Sequence, residues 1–231
     1  MIASPRPLLF ALALCAASAS AAVAQDKGPT LRPWRPSIAA GVEVAGGYPT
    51  GDRNAELRRN ATGTPPPFTL FRAESAIGRV TGVEARVALA ITRAVAVEVS
   101  GRYSTPVLTV TVSQDGEHDG NATLLETLAH YAVDVSGVYQ LPINLGRRAS
   151  PYVIGGGGYL RQLHEGRLLV ETGHTLHAGG GVRFWLRGGG PSSRALGLRA
   201  EGRYVRRAGG VDFADQTRAY PSFSLLAFAG F

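Results

Sequence analysis

The chain has 231 residues, of which 24 are Lys or Arg and 17 are Asp or Glu, for a formal net charge of +7. That length suits one domain of ordinary size, and no stretch beyond the N-terminal region approaches the ~20 apolar residues of a helical membrane span. A single cysteine, Cys15, excludes a disulfide framework.

A targeting segment comes first in chain order. Arg6 supplies a short basic region, and Leu8 to Cys15 an apolar region too short to cross a bilayer. Ala22-Val23-Ala24 fits a small-x-small cleavage site, so residues 1–24 read as a secretory signal peptide and Gln25 as the first mature residue. Leu14 is not the small residue that lipidation of Cys15 would need. Residues 25–36 read as an N-terminal periplasmic segment. Loss of Arg6 takes the charge from +7 to +6. Lys27 is the sole lysine, so the basic excess is arginine. Export argues against nucleic acid as its target. An anionic lipopolysaccharide surface fits better, and arginine-biased composition explains the same count.

The rest alternates with period two, the mark of strands with unlike faces. Thr81, Val83, Ala85, Val87, Leu89 and Ile91 form an apolar row; Val80, Gly82, Glu84, Arg86, Ala88 and Ala90 form the other, small but carrying two opposite charges. Eight strands are predicted: Ser37 to Gly47, Val80 to Ile91, Val95 to Val112, Leu128 to Leu141, Tyr152 to Leu163, Thr175 to Leu186, Leu196 to Val205 and Pro221 to Phe231. The connection from Pro49 to Gly78, with its "TPPPF", reads as a long loop, and Thr92-Arg93 as a tight turn. Odd connections are polar and loop-like, even ones shorter. That is the rhythm of an up-and-down barrel with long external loops.

The polar faces carry Glu43, Glu84, Glu98, Asp134 and Glu201 against Arg86, Arg102, Arg161, Arg183, Arg199 and Arg203, with Gly, Ala and Ser between. Small residues among opposite charges suit a cramped interior better than a solvated surface. A soluble sandwich would wet this face. An eight-stranded barrel has an interior that side chains just fill, and buried Arg there needs acids beside it. These residues are the candidate lumen ion-pair network. Tyr48, Tyr103, Tyr139, Tyr152 and Tyr204 fall near strand ends on the apolar face, as an interfacial girdle would.

The final strand, "FSLLAFAGF", alternates Phe223, Leu225, Ala227, Ala229 and Phe231 to the terminus. It resembles the C-terminal strand of bacterial outer-membrane barrels. With the signal peptide and "SPYVIGGGGY", the chain resembles the small eight-stranded OmpA/OmpX-like barrel superfamily. The resemblance implies an all-β antiparallel transmembrane barrel over residues 37–231, in the cell outer membrane. It also implies outer-membrane lipids and lipopolysaccharide as surroundings, and barrel-assembly machinery that reads Phe223, Leu225, Ala229 and Phe231. The sequence ends at Phe231, and on this resemblance the peptidoglycan-binding domain of full OmpA-type proteins is not expected.

No motif points to chemistry. Gly155 to Gly158 lacks the Lys-Ser/Thr of a phosphate loop and reads as close backbone approach. His174 and His177 fall on opposite strand faces and cannot share a metal. His118, in "DGEHDG", is at most a weak cation site. No His has Ser two residues on, as lipid A deacylases do, and no Ser, His and acid stand out as a triad. No catalytic residue, metal or cofactor is expected. The sequence therefore reads as a non-enzymatic outer-membrane barrel, structural or adhesive, with loops for partner contact. The alternatives are a narrow or small-ligand-conducting pore and a lipopolysaccharide-modifying enzyme.

Overall fold

The computed structural model describes residues 31, 34–57, 68–114, 120–143, 145, 148–165, 169–187, 195–214 and 216–231. The signal peptide and His118 lie outside them. Twelve strands are formed among these residues: β1 (Pro36–Ala45), β2 (Tyr48–Leu57), β3 (Phe68–Ile77), β4 (Val80–Ala90), β5 (Val95–Ser104), β6 (Val107–Ser113), β7 (Ala122–Thr127), β8 (Ala129–Gln140), β9 (Ala149–Leu163), β10 (Val170–Arg187), β11 (Ala195–Gly209) and β12 (Arg218–Gly230).

Eight of them close a barrel in the order β1-β4-β5-β8-β9-β10-β11-β12 and back to β1. Every neighbouring pair is antiparallel. The seam pairs β1 with β12, from Ser37 opposite Gly230 to Ala45 opposite Ser222. Closure leaves no barrel strand with an unpaired edge, which is the condition for β-structure to cross a bilayer.

Two connections differ from the loops expected of them. The segment after β1 builds the hairpin β2–β3, and the one after β5 builds β6–β7. Together they make a four-stranded sheet, β2-β3-β6-β7. Each of its strands continues a barrel strand across a short break: Gly46-Gly47, Gly78-Arg79, Thr105-Pro106 and Leu128. Pro106 has no N–H for a ladder, which splits the single long strand expected over Val95 to Val112. A Cβ at Gly47 would stand 2.8 Å from the Ile77 carbonyl oxygen, so only glycine lets the chain turn there. The bonds from Gly78 N–H to the Val107 carbonyl (3.0 Å) and from Leu128 N–H to the Pro106 carbonyl (2.9 Å) carry pairing across the break.

The sheet covers the barrel end away from the termini. Its Tyr48, Ile77 and Leu108 pack with Leu128, Val205, Val211 and Tyr220 in one buried apolar cluster. Tyr48 stacks on Tyr220 with centroids 4.9 Å apart. At the other end both termini meet, and the Phe231 N–H bonds to the Pro36 carbonyl at 3.1 Å.

Candidate functional site

The two rows of β4 settle which way the barrel faces. Val83 and Val87 are each 58% exposed, while Glu84, Arg86, Ala88 and Ala90 are buried. The same phase runs through β5, β8, β10, β11 and β12: Val97, Val99, Val133, Val135, Leu176, Leu198, Phe223 and Leu225 point out, and the charges point in. Exposed aliphatic side chains all round a closed barrel, with arginines and carboxylates inside, invert a water-soluble core.

The chain is a closed eight-stranded antiparallel β-barrel with the exterior of a membrane-spanning one.

Its interior is knit by charge. Arg86 of β4 donates from Nη1 to Glu98 (2.9 Å) and Glu201 (3.1 Å), and from Nη2 to Glu84 (2.8 Å) and the other Glu201 oxygen (3.0 Å). Arg199 reaches Glu98 and Glu201, each at 2.5 Å. Arg203 pairs with Glu84 at 2.6 Å and Glu201 at 2.8 Å. Nearer the covered end, Arg102 bridges Asp134 (2.7 Å) and Glu43 (3.1 Å). Ser222 and Ser224 of β12 donate to Glu43 and Glu84. The carboxylates thus have several donors each, the condition under which a buried ion pair is tolerated.

Glycines bring these groups within reach. Gly158 of β9 lies opposite both Asp134 of β8 and Thr175 of β10. With no side chain between them, Thr175 Oγ1 donates directly to Asp134 at 2.7 Å. Gly181 of β10 lies opposite Tyr152 and Glu201, and the Tyr152 hydroxyl donates to Glu201 at 2.6 Å. A Cβ at Gly181 would stand 2.4 Å from that hydroxyl. Gly197 of β11 likewise lets Trp185 and Phe228 meet edge to face, centroids 4.9 Å apart. Gly155 to Gly158 lie in a strand, and the inward pair, Gly156 and Gly158, serves side chains two strands apart.

Several expected positions differ. Arg161, expected in the lumen, faces outward with Tyr159, opposite Tyr131. The inward side of that segment is taken by Leu160 and Gln162, both fully buried. Tyr48 and Tyr152, expected in the outer girdle, point inward; Tyr103, Tyr139 and Tyr204 are exposed. Tyr103 packs against Tyr131, and Tyr159 against His174, so these two further tyrosines join the outer set. Arg183 lies in the lumen, but among the described residues no carboxylate pairs with it. Arg207, one turn of alternation past the expected end of its strand, was missed. It is buried, with its guanidinium carbon 4.8 Å from the Tyr48 ring centroid, and it donates to the Tyr48 hydroxyl and the Val211 carbonyl. The outward row of β12 is Phe223, Leu225, Ala227 and Ala229, with exposed Phe231 after it.

Across bare Gly156, Ser136 Oγ meets His177 Nε2 at 2.9 Å. His177 Nδ1 stands 3.8 Å from Asp134, too far for a hydrogen bond. Asp134 is already held by Arg102 and Thr175, and Ser136 and His177 are buried. The order of groups is that of a hydrolytic triad, and the geometry is that of a structural bond. Among the described residues no three His, Cys, Asp or Glu gather as a metal site.

No family model matches the chain, and neither does any curated relative. Three solved structures resemble it at low identity. Outer membrane protein OprG from Pseudomonas aeruginosa is 10% identical, with a TM-score of 0.46 over 88% of this chain and 98% of that one. Ail, the attachment invasion locus protein of Yersinia pestis, is 14% identical, with a TM-score of 0.42 over 87% and 100%. Outer membrane protein AlkL, solved in lipid bilayers, is 15% identical, with a TM-score of 0.37 over 90% and 96%.

Proposed function

We propose that this is a closed, non-enzymatic barrel of the outer membrane that acts as a structural or adhesive protein through its external sheet. The observation that carries the reading is the filled lumen. Arg86, Arg199 and Arg203 cross-link β4, β5 and β11 through Glu84, Glu98 and Glu201, and the apolar cluster closes the far end. What remains to meet a partner is the β2-β3-β6-β7 sheet, whose last strand exposes Leu124 (68%) and Leu125 (66%) on its two faces. Outward Arg161, between Tyr131 and Tyr159, suits lipopolysaccharide phosphates at the external rim. Residues 1–24 act as signal peptide and 25–36 as periplasmic segment in this reading. Purified protein in a planar bilayer should show no steady single-channel current; a stable, large conductance would promote a pore instead.

Assembly forms part of the same reading. The row Phe223, Leu225, Ala229 and Phe231 presents the outward face that barrel-assembly machinery would read. Deleting Phe231 should lower the amount of assembled barrel and raise periplasmic degradation. The barrels that do assemble should keep nearly the parent stability, because one interfacial side chain contributes only ~1–3 kcal/mol. Wild-type levels after the deletion would remove the recognition role.

A further inference from the structure

The lumen is not uniformly filled. At the end that carries the termini it opens into a cavity of ≈ 70 Å³, lined among others by Ala88, Ala96, Arg183, Trp185, Phe228 and Leu31. A few water-sized bodies, or one small organic molecule, fit such a volume. Its walls are mostly apolar, because β1, β4 and β5 place Ala39, Ala88, Ala90 and Ala96 where the next layer inward places charges.

One donor in this cavity lacks an acceptor, the Trp185 indole, and beside it lies a cation, Arg183, with no carboxylate among the described residues. Arg183 and Trp185 lie two residues apart on β10 and so share its inward face. Arg183 is 6% exposed. Its guanidinium carbon lies 5.1 Å from the Tyr152 ring centroid. Among the described residues it has no carboxylate, whereas Arg86, Arg102, Arg199 and Arg203 each have two or more. Trp185 is 8% exposed and its indole Nε1 has no hydrogen-bond partner. A guanidinium and an indole N–H can only donate. A buried arginine without an anion is costly, so the pair calls for an acceptor that carries negative charge. Glu98, the carboxylate that also lines the cavity, is committed to Arg86 and Arg199.

We propose that this cavity binds a small monocarboxylate with a short apolar chain. The carboxylate takes the Arg183 fork and the Trp185 N–H, and the chain lies against Ala88, Ala96 and the Phe228 ring. A planar guanidinium matches a carboxylate with two parallel bonds. The cavity's size excludes a lipid. Leu31 lines the cavity on the side of the termini, its N–H bonded to the Arg93 carbonyl at a long 3.3 Å, while Trp34 is tied to the Ala90 carbonyl at 2.6 Å. The cavity lies at the end of the termini, away from the covered end and from what the β2-β3-β6-β7 sheet would bind.

Trp185 is one of two tryptophans, so Trp34→Phe leaves it as the sole indole reporter. The full-length barrel in detergent is titrated with sodium butyrate, with butyramide, and with sodium chloride at matched ionic strength. Expected is a saturable change in Trp185 emission with butyrate and none with the other two. Arg183→Gln should weaken butyrate binding by at least about ten-fold, the loss of one charge-assisted contact. Ala88→Leu, which fills the cavity and leaves both donors intact, should abolish saturation while gel mobility of the unheated barrel stays that of the parent. Should Arg183→Gln fail to fold, Ala88→Leu and the butyrate–butyramide contrast decide. Equal, non-saturating responses to all three solutes would overturn the proposal and mark the cavity as holding water only, as would unchanged butyrate binding in Ala88→Leu.

Discussion

Single glycines set the reach of the lumen's charges. Gly181 stands between Tyr152 and Glu201, and a Cβ there would also approach the Ala200 carbonyl oxygen to 2.3 Å. Gly101 of β5 faces outward with nothing within 4 Å of its would-be Cβ. Gly181→Ala should therefore lower the denaturation midpoint of the detergent-solubilised barrel by the equivalent of ~1–3 kcal/mol. Gly101→Ala should leave it within about 0.5 kcal/mol. Equal effects in the two variants would show that lumen spacing is not what fixes these glycines. The sequence marks such positions, since runs like Gly155 to Gly158 are conspicuous. It does not mark what they admit, because the partners sit on strands two places away. Tyr152 was misplaced for a related reason. In "PYVIGGGG" both rows are apolar or bare, so alternation there has no phase to read. Arg161 suffers the same ambiguity between Leu160 and Gln162.

Elements differ in how much of their cause is local. β4 is legible because Val83 to Leu89 alternate without interruption. β2 is not: Pro49, Gly51 and Asp52 are turn formers, and the strand exists because β3 pairs with it, through bulges at Pro49/Gly51 and Ala55/Glu56. The connection between β11 and β12 docks on that hairpin, with the Phe213 N–H on the Thr50 carbonyl at 2.8 Å and Arg53 Nε on the Phe213 carbonyl at 3.1 Å. Asp212 holds its fold, accepting from Arg218 Nε at 2.6 Å and from the Ala214 N–H at 2.9 Å. Partial burial opposes ionisation of Asp212, but the Arg218 and backbone donors outweigh it, and the carboxyl sits below the ordinary Asp value. A depressed pKa adds stability above the unfolded value of ~3.9 and loses it as pH falls through the folded one. The protection factors of the amides in residues 211–214, corrected for the intrinsic exchange rate at each pH, should thus be high at neutral pH and fall below about pH 4, ahead of barrel unfolding. Asp212→Asn should show the low protection at every pH. A segment that stays protected at low pH would place the restraint elsewhere.

For the whole molecule, the network couples strands that nothing local would hold. Glu84 accepts from Arg86, Arg203 and Ser224, which lie on three strands. Glu84→Ala should cost ~3–5 kcal/mol, since Arg86 and Arg203 stay buried with one partner fewer. Glu84→Ala combined with Arg203→Leu should cost less than the sum of the two single changes. Strict additivity in that cycle, measured by urea unfolding in detergent, would mean the pair is not coupled. The face that carries these residues was legible from alternation. Their pairing was not, because it depends on the register of eight strands at once. Arg207 shows the limit: it shares its row with Arg203, but the strand outlasts its expected end at Val205.

The seam between β1 and β12 orders events in time. Arg86 and Glu201 are 115 residues apart in the chain, and Arg203 and Glu84 are 119 apart. The first three barrel strands carry Glu43, Glu84 and Glu98 against Arg86 and Arg102; β11 brings Arg199, Arg203 and Arg207 against Glu201. A growing sheet is therefore acid-rich in its early part and base-rich in its late part, and neither is neutral alone. Until the two meet, one face of the sheet needs water for its charges, however apolar the other face is. Such a sheet can lie at a membrane surface but cannot sink into hydrocarbon. The same contacts that fill the finished lumen with paired charges thus bind insertion to closure, and the barrel should enter lipid only as it becomes a barrel.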